Sequence, residues 1–143
     1  LFLCVQCGKC AAVCPMGKLF PDFDHEASPR GVIERALLGL EMEGQAGLWF
    51  CLTCELCTDL CPAGVRFRDF QEGLRAHLVQ AGETEFASFC RVCGAYLWPC
   101  HTTEHMNHAL GEDAEEHLTL CPRCRRYDHG RTMRTIAPPK GPP

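Results

Sequence analysis

The sequence lacks the usual marks of a stand-alone enzyme. It contains no phosphate-binding P-loop, no dinucleotide-binding glycine fingerprint and no pairing of a nucleophile with a base, so those routes to a substrate pocket are excluded. No apolar run approaches the roughly 20 residues that a membrane-spanning helix needs. No stretch has the build of a secretory signal either, so the chain reads as soluble. Convincing period-2 alternation is also missing ahead of the C-terminal cysteine pairs, which points to a mainly helical fold. A length of 143 residues allows at most one domain plus a small appendage.

What the chain has in excess is cysteine, thirteen in all, well beyond ordinary usage. A disulfide framework, zinc sites and iron-sulfur clusters compete to explain them. The count is odd and the spacing is tight C-x2-C, whereas small secreted scaffolds spread an even number through their loops. Reduced thiolates in a reducing compartment follow, hence a cytoplasmic setting, with peripheral attachment to a membrane-bound complex left open.

Eight of the thirteen form two copies of one pattern. "CVQCGKCAAVCP" runs from Cys4 to Pro15, and "CLTCELCTDLCP" from Cys51 to Pro62 repeats it 47 positions later. C-x2-C-x2-C-x3-C-P is the bacterial-ferredoxin spacing for a 4Fe-4S cluster, and where two copies coexist the fourth cysteine ligates the other cluster. The expected ligand sets are Cys4, Cys7, Cys10 and Cys61 for one cluster, and Cys51, Cys54, Cys57 and Cys14 for the other. Each motif alone is then one ligand short, and both must fold together. Zinc, which is commonly held by two separated pairs, gives no reason for this pattern twice.

Between the motifs, "SPRGVIERALLGLEMEG" places Val32, Ile33, Ala36, Leu37 and Leu40 at helical spacing, with Ser28 as N-cap, Pro29 in the first turn and Gly44 as the stop. After the second motif, "RDFQEGLRAHLVQAG" predicts another helix ending near Gly82, with Phe70, Leu74 and Leu78 four apart and Asp69 and Glu72 at capping-box spacing.

Residues 4 to about 80 resemble the helical dicluster ferredoxin domain found in the small iron-sulfur subunits of the heterodisulfide reductase family, itself similar to the C-terminal half of succinate dehydrogenase iron-sulfur subunits. "CVQCGKCAAVCP", "SPRGVIERALLGLE" and "CLTCELCTDLCPAGV" carry the resemblance. It implies an α-helical ferredoxin fold over residues 1–82. It also implies an electron-transfer subunit that relays single electrons through two 4Fe-4S clusters between a flavin- or nickel-containing partner and a separate acceptor subunit. An accessory subunit of a hydrogenase or of a quinone-linked dehydrogenase is the alternative within the same chemistry.

Residues 86–130 change character. "CRVCG" at Cys90 and Cys93 and "CPRC" at Cys121 and Cys124 look like the two knuckles of a zinc-ribbon or rubredoxin-type site, enclosing 27 residues. Four thiolates closing a tetrahedron make a structural site with no open position, so one zinc ion is expected, with iron or a third cluster as alternatives. Cys100, His101, His105 and His108 lie inside that loop as further possible ligands. "TTEHMNHALGEDAEEHL" predicts a helix interrupted at Gly111, and residues 131–143, ending in "APPKGPP", are expected to be an extended tail.

Charge divides the chain unevenly. From Cys121 onward the balance is +5, against -9 for the first 120 residues. Nucleic-acid binding is the competing reading of that basic end. The twin motif and the acidic remainder favour a solvated or subunit-docking face instead.

Overall fold

The two motif copies frame the fold. In the computed structural model, which describes residues 2–111 and 115–136, α1 (Lys9–Val13) rises within the first motif and is followed by α2 (Met16–Leu19) and α3 (Pro29–Leu37). A 3-10 turn at Ala46–Trp49 leads into the second motif, whose own helix is α4 (Leu56–Asp59), and α5 (Phe67–Gln80) follows. Then come β1 (Ala87–Phe89), β2 (Tyr96–Pro99), α6 (Cys100–Leu110), α7 (Glu115–Leu118) and α8 (Pro122–Ile136). About half of the chain is helical, with little sheet. α1 packs against both α3 and α4, so the two motifs meet side by side.

α3 starts where its cap dictates. The Ser28 hydroxyl accepts the Gly31 N–H at 3.2 Å, Pro29 occupies the first turn, and Val32 and Ile33 are buried. It ends earlier than Gly44. Gly39, at φ +65°, closes a Schellman motif in which the Leu40 N–H reaches Arg35 O at 3.0 Å and the Gly39 N–H reaches Ala36 O at 3.3 Å. Leu40 therefore leaves the helical stripe and is exposed.

A methyl group added at Gly31 would lie 2.5 Å from the backbone oxygens of both His25 and Glu26, which cannot swing aside as a side chain would. Gly31→Ala should cost about 1–3 kcal/mol through overpacking. Denaturant unfolding of the metal-loaded protein measures this, and an unchanged midpoint would refute it.

α5 buries Phe67, Gln71, Arg75 and Leu78, while Phe70 and Leu74 sit at the edge of the core. The capping box does not form. Asp69 pairs with Arg66 at 2.6 Å and Glu72 with Arg68 at 2.9 Å, leaving the helix start without a side-chain cap. The Leu48 carbonyl accepts from Gln71 Nε2 at 2.5 Å and from Arg75 Nε and Nη2 at 3.0 and 2.7 Å, which ties the 3-10 turn to α5. Trp49, wholly buried, joins Val32, Ile33, Leu48, Val65, Phe67, Leu78 and Cys57 in the main core. A second apolar group, Met16, Phe20, Ala27 and Phe50, lies beneath the chain that leaves the first motif.

The C-terminal part contains a hairpin that the missing alternation did not announce. β1 and β2 pair antiparallel, Ala87 opposite Pro99 and Ser88 opposite Trp98, with an irregularity between Ser88 and Phe89. With three and four residues, these strands are too short to display a period. The hairpin packs on the motif-bearing region through Phe86 and Tyr96, each with its ring centroid 6.3 Å from Trp49, and His101 stacks on Phe50 at 4.7 Å. α6 stops at Gly111, at φ +82°, where the sequence predicts the interruption. α8 runs on to Ile136, so residues 131–136 are helical rather than part of an extended tail, and 137–143 fall outside the described residues.

Candidate metal centres

The two motif loops repeat in backbone as well as in sequence. Gln6 and Gly8 adopt the left-handed conformation at φ +54° and +77°, and Thr53 and Glu55, 47 positions on, do the same at +53° and +67°. Left-handed residues alternating with ordinary ones turn successive N–H groups toward one concavity, the nest that suits an anionic iron-sulfur centre. Three of the four are not glycine and each costs on the order of 1 kcal/mol there, a strain that persists where the surroundings dictate the loop shape.

The eight cysteines line two neighbouring cavities. Cys4, Cys7, Cys10 and Cys61 face one, walled by Ile33, Ala63, Val65 and Phe67. Cys14, Cys51, Cys54 and Cys57 face the other, walled by Met16, Pro29 and Leu52, and Cys57 also borders the first. The first cavity thus draws three cysteines from the first motif and two, Cys57 and Cys61, from the second, and the second cavity draws three from the second motif and Cys14 from the first. No disulfide joins any of the thirteen cysteines. The cysteine grouping and the paired left-handed loops both fit a cubane cluster in each cavity.

Burial pushes the Cys10, Cys14 and Cys51 thiols upward, with neighbouring cysteines adding to the shift: Cys4 and Cys7 for Cys10, Cys51 and Cys54 for Cys14. Burial likewise pushes Cys57 up to about 11. Burial therefore disfavours proton release from these four thiols in the metal-free chain, and iron must displace the proton on binding. Backbone N–H groups already reach two of the sulfurs, from Thr53 to Cys51 and from Val65 to Cys61, each at 3.3 Å. Such bonds stabilise charge on a ligating thiolate and raise a cluster's potential.

Outside the ligands, arginines fasten both loops. Arg30, from the start of α3, donates to Gln6 O at 2.6 Å. Arg68, from the start of α5, pairs with Glu55 at 2.8 Å, while Arg75 donates to Cys51 O at 2.9 Å. Nothing in the sequence singles out Arg75 and Gln71, because polar residues on a helix ordinarily mark its solvated face.

A family model described as a 4Fe-4S dicluster domain matches residues 1–65. The matched part is iron-sulfur and ferredoxin-like. Neither the curated proteins nor the solved structures offer a match to the chain. The dicluster match spans both cysteine motifs and ends as α5 is about to begin, so the hairpin and α6 to α8 lie beyond it.

The third constellation has a different geometry. The sulfurs of Cys90, Cys93, Cys121 and Cys124 all lie within 4.8 Å of one another, a convergence that the motif cysteines do not show. The first pair occupies the hairpin turn, where the Cys90 N–H bonds Ala95 O at 2.8 Å and Gly94, at φ +69°, returns its N–H to Cys90 O at 2.9 Å. The second pair opens α8 with Pro122 in the first turn, so this site joins one hairpin knuckle to one helix start rather than two matching knuckles. The Cys121 N–H donates to Cys90 Sγ at 3.4 Å and the Cys124 N–H to Cys121 Sγ at 3.3 Å. Those backbone donors hold Cys90 down at about 6 and lower Cys121, while Cys124, beside Cys121, is pushed up to about 12. The backbone donors therefore favour thiolates at Cys90 and Cys121.

Cys100, His101 and Glu104 form a second group at the start of α6, with His101 Nδ1 3.5 Å from Glu104. His101 Nε2 is buried without a partner, whereas a ligating histidine normally has its other nitrogen bonded. His101 packs between Phe50 and Phe86, so a packing role suffices for it. Among the described residues, no helix is long and apolar enough to cross a membrane.

Proposed function

We propose that the chain is an electron-transfer subunit of a multisubunit oxidoreductase of the heterodisulfide-reductase type, with Cys4, Cys7, Cys10 and Cys61 holding one 4Fe-4S cluster and Cys51, Cys54, Cys57 and Cys14 the other. The observation that carries this reading is the shared wall between the two cysteine-lined cavities, with Cys57 bordering both. Adjacent one-electron centres form a path, and the chain adds no substrate chemistry of its own. When bound, each cluster supplies reversible one-electron storage. The polypeptide orients the thiolates through the left-handed loops, excludes water with Val65, Phe67 and Met16, and sets the local field through N–H···S bonds and arginines.

Donor and acceptor are separate subunits in this reading, the donor carrying flavin or nickel. Cys7 and Cys54 are exposed, and so are Val5 and Leu56 beside them, which gives each centre an apolar face for a partner to cover. Residues 86–130 act as a docking module stapled by one zinc ion on Cys90, Cys93, Cys121 and Cys124. A tetrahedron with Zn–S bonds of about 2.3 Å has edges of about 3.8 Å, and Cys93 Sγ lies 3.7 Å from Cys121 Sγ. Four sulfurs so close suit one ion better than a third cluster.

Elemental analysis of anaerobically prepared protein should give about eight irons and one zinc per chain. Twelve irons without zinc would remove the zinc assignment. Stoichiometric co-purification with a flavoprotein or a nickel protein supports the subunit role. A salt-sensitive shift on mixing with DNA or RNA, without such a partner, would favour the nucleic-acid reading of α8.

A further inference from the structure

The two proposed cysteine sets are alike in sulfur count and in N–H···S bonds, one of which reaches a cysteine of each set: Cys51 in the second and Cys61 in the first. They differ in buried charge. Arg75 is 2% exposed and among the described residues pairs with no carboxylate; its donors go to the carbonyls of Leu48 and Cys51. Its other charged or titratable neighbours are Tyr96 and Glu72, and Glu72 is exposed and already paired with Arg68. The guanidinium also lies over the Trp49 ring, 5.8 Å from its centroid. An uncompensated buried cation is strongly unfavourable, so such a charge persists where an anion stands close by. Desolvation lowers the Arg75 pKa, and among the anion-forming groups around it Cys51 opposes this most.

The first cavity has cations too, but neither is buried as Arg75 is, Arg30 being half-buried. Lys9 is exposed, and Arg30 holds Gln6 O through an exposed hydrogen bond. Arg68, at the second cavity, is neutralised by Glu55 and Glu72. Solvent screens Lys9 and, in part, Arg30, while Arg75 acts through protein.

We propose that Arg75 is the built-in countercharge of the site formed by Cys51, Cys54, Cys57 and Cys14, and that it makes this site the higher-potential member of the pair. This rests on the two-cluster reading. A cation beside a centre favours its reduced form, which carries one more negative charge. Electrons entering at the first site then pass downhill to the second, and Arg75 sets the direction of relay as a positioning residue without touching a reactant.

The test is a potentiometric titration of the holo-protein followed by EPR, with the two signals assigned through their separate perturbation in Cys14→Ser and Cys61→Ser. In the unaltered protein the second site should be reduced first. Arg75→Gln removes the charge and keeps a donor for Leu48 O, and should shift the electron partition at least tenfold toward the first site, about 59 mV for a one-electron couple. Arg75→Lys keeps the charge, loses the forked hydrogen bonding, and should leave the partition near its original value while lowering thermal stability. A second site reduced at or below the potential of the first in the unaltered protein overturns the proposal without any variant having to fold. An unmoved partition in Arg75→Gln, or equal shifts in both variants, also overturns it. Failure of the underlying two-cluster reading looks different: the unaltered protein would show no pair of reversible signals at all.

Discussion

Cys14→Ser should damage the centre held by Cys51, Cys54 and Cys57 and spare the one held by Cys4, Cys7 and Cys10, although Cys14 belongs by sequence to the first motif. The basis is spatial. Cys14 lines the second cavity with Cys51 and Cys54, and those two thiols help raise its own pKa. Replacing a thiolate by a hydroxyl removes one of four ligands, so the second cluster should lose one iron or be lost altogether, taking the total from about eight irons to between about four and seven. EPR of the reduced variant separates the outcomes. A changed first signal beside an intact second one would show that ligation does not cross between the motifs.

Removing both clusters should unfold the motif-bearing region. α1, α2 and α4 have five, four and four residues, far short of the ~12–15 at which an isolated helix becomes marginal. Their surroundings are also built on cysteine. Cys57 belongs to the main core, and Cys4, Cys10, Cys51 and Cys61 pack against it. A structural tetrathiolate metal contributes roughly 10–16 kcal/mol to folding, as much as the ~5–15 kcal/mol net stability of a whole domain. Iron chelation under reducing conditions should therefore abolish most of the far-ultraviolet helical signal of residues 1–82. If zinc staples the hairpin to α8, that part should keep its structure until a stronger chelator removes the ion. A metal-free protein with native dichroism and a cooperative melt would contradict this coupling.

Which cysteines line which cavity follows the motif spacing, since three sulfurs of one loop lie close together and the fourth lies farther along the chain, while Cys57 lines both cavities, which spacing alone does not foretell. The Ser28 cap was legible in the sequence, since a hydroxyl ahead of proline at a helix start has one partner within reach. Gly39 and Gly44 are both plausible stops by residue type, and the Leu40 to Arg35 hydrogen bond, a local closure, selects the first. Asp69 and Glu72 have the right spacing for a capping box, but Arg66 and Arg68 draw both carboxylates away. The helix start at the second cysteine pair did carry a signal, Pro122 immediately after Cys121, which fits the first turn of a helix better than a knuckle. Arg75 carried none. Its burial follows from two carbonyls, Leu48 and Cys51, that only the tertiary fold brings within its reach.

The most direct measurement is an anaerobic potentiometric titration of the holo-protein with iron and sulfide counted on the same sample. Two paramagnetic signals, each appearing and disappearing reversibly with one electron, together with about eight irons and eight sulfides per chain, are the result that two relaying 4Fe-4S clusters require. Zinc in the eight motif cysteines, or clusters that break down rather than cycle on reduction, would contradict an electron relay between the two sites.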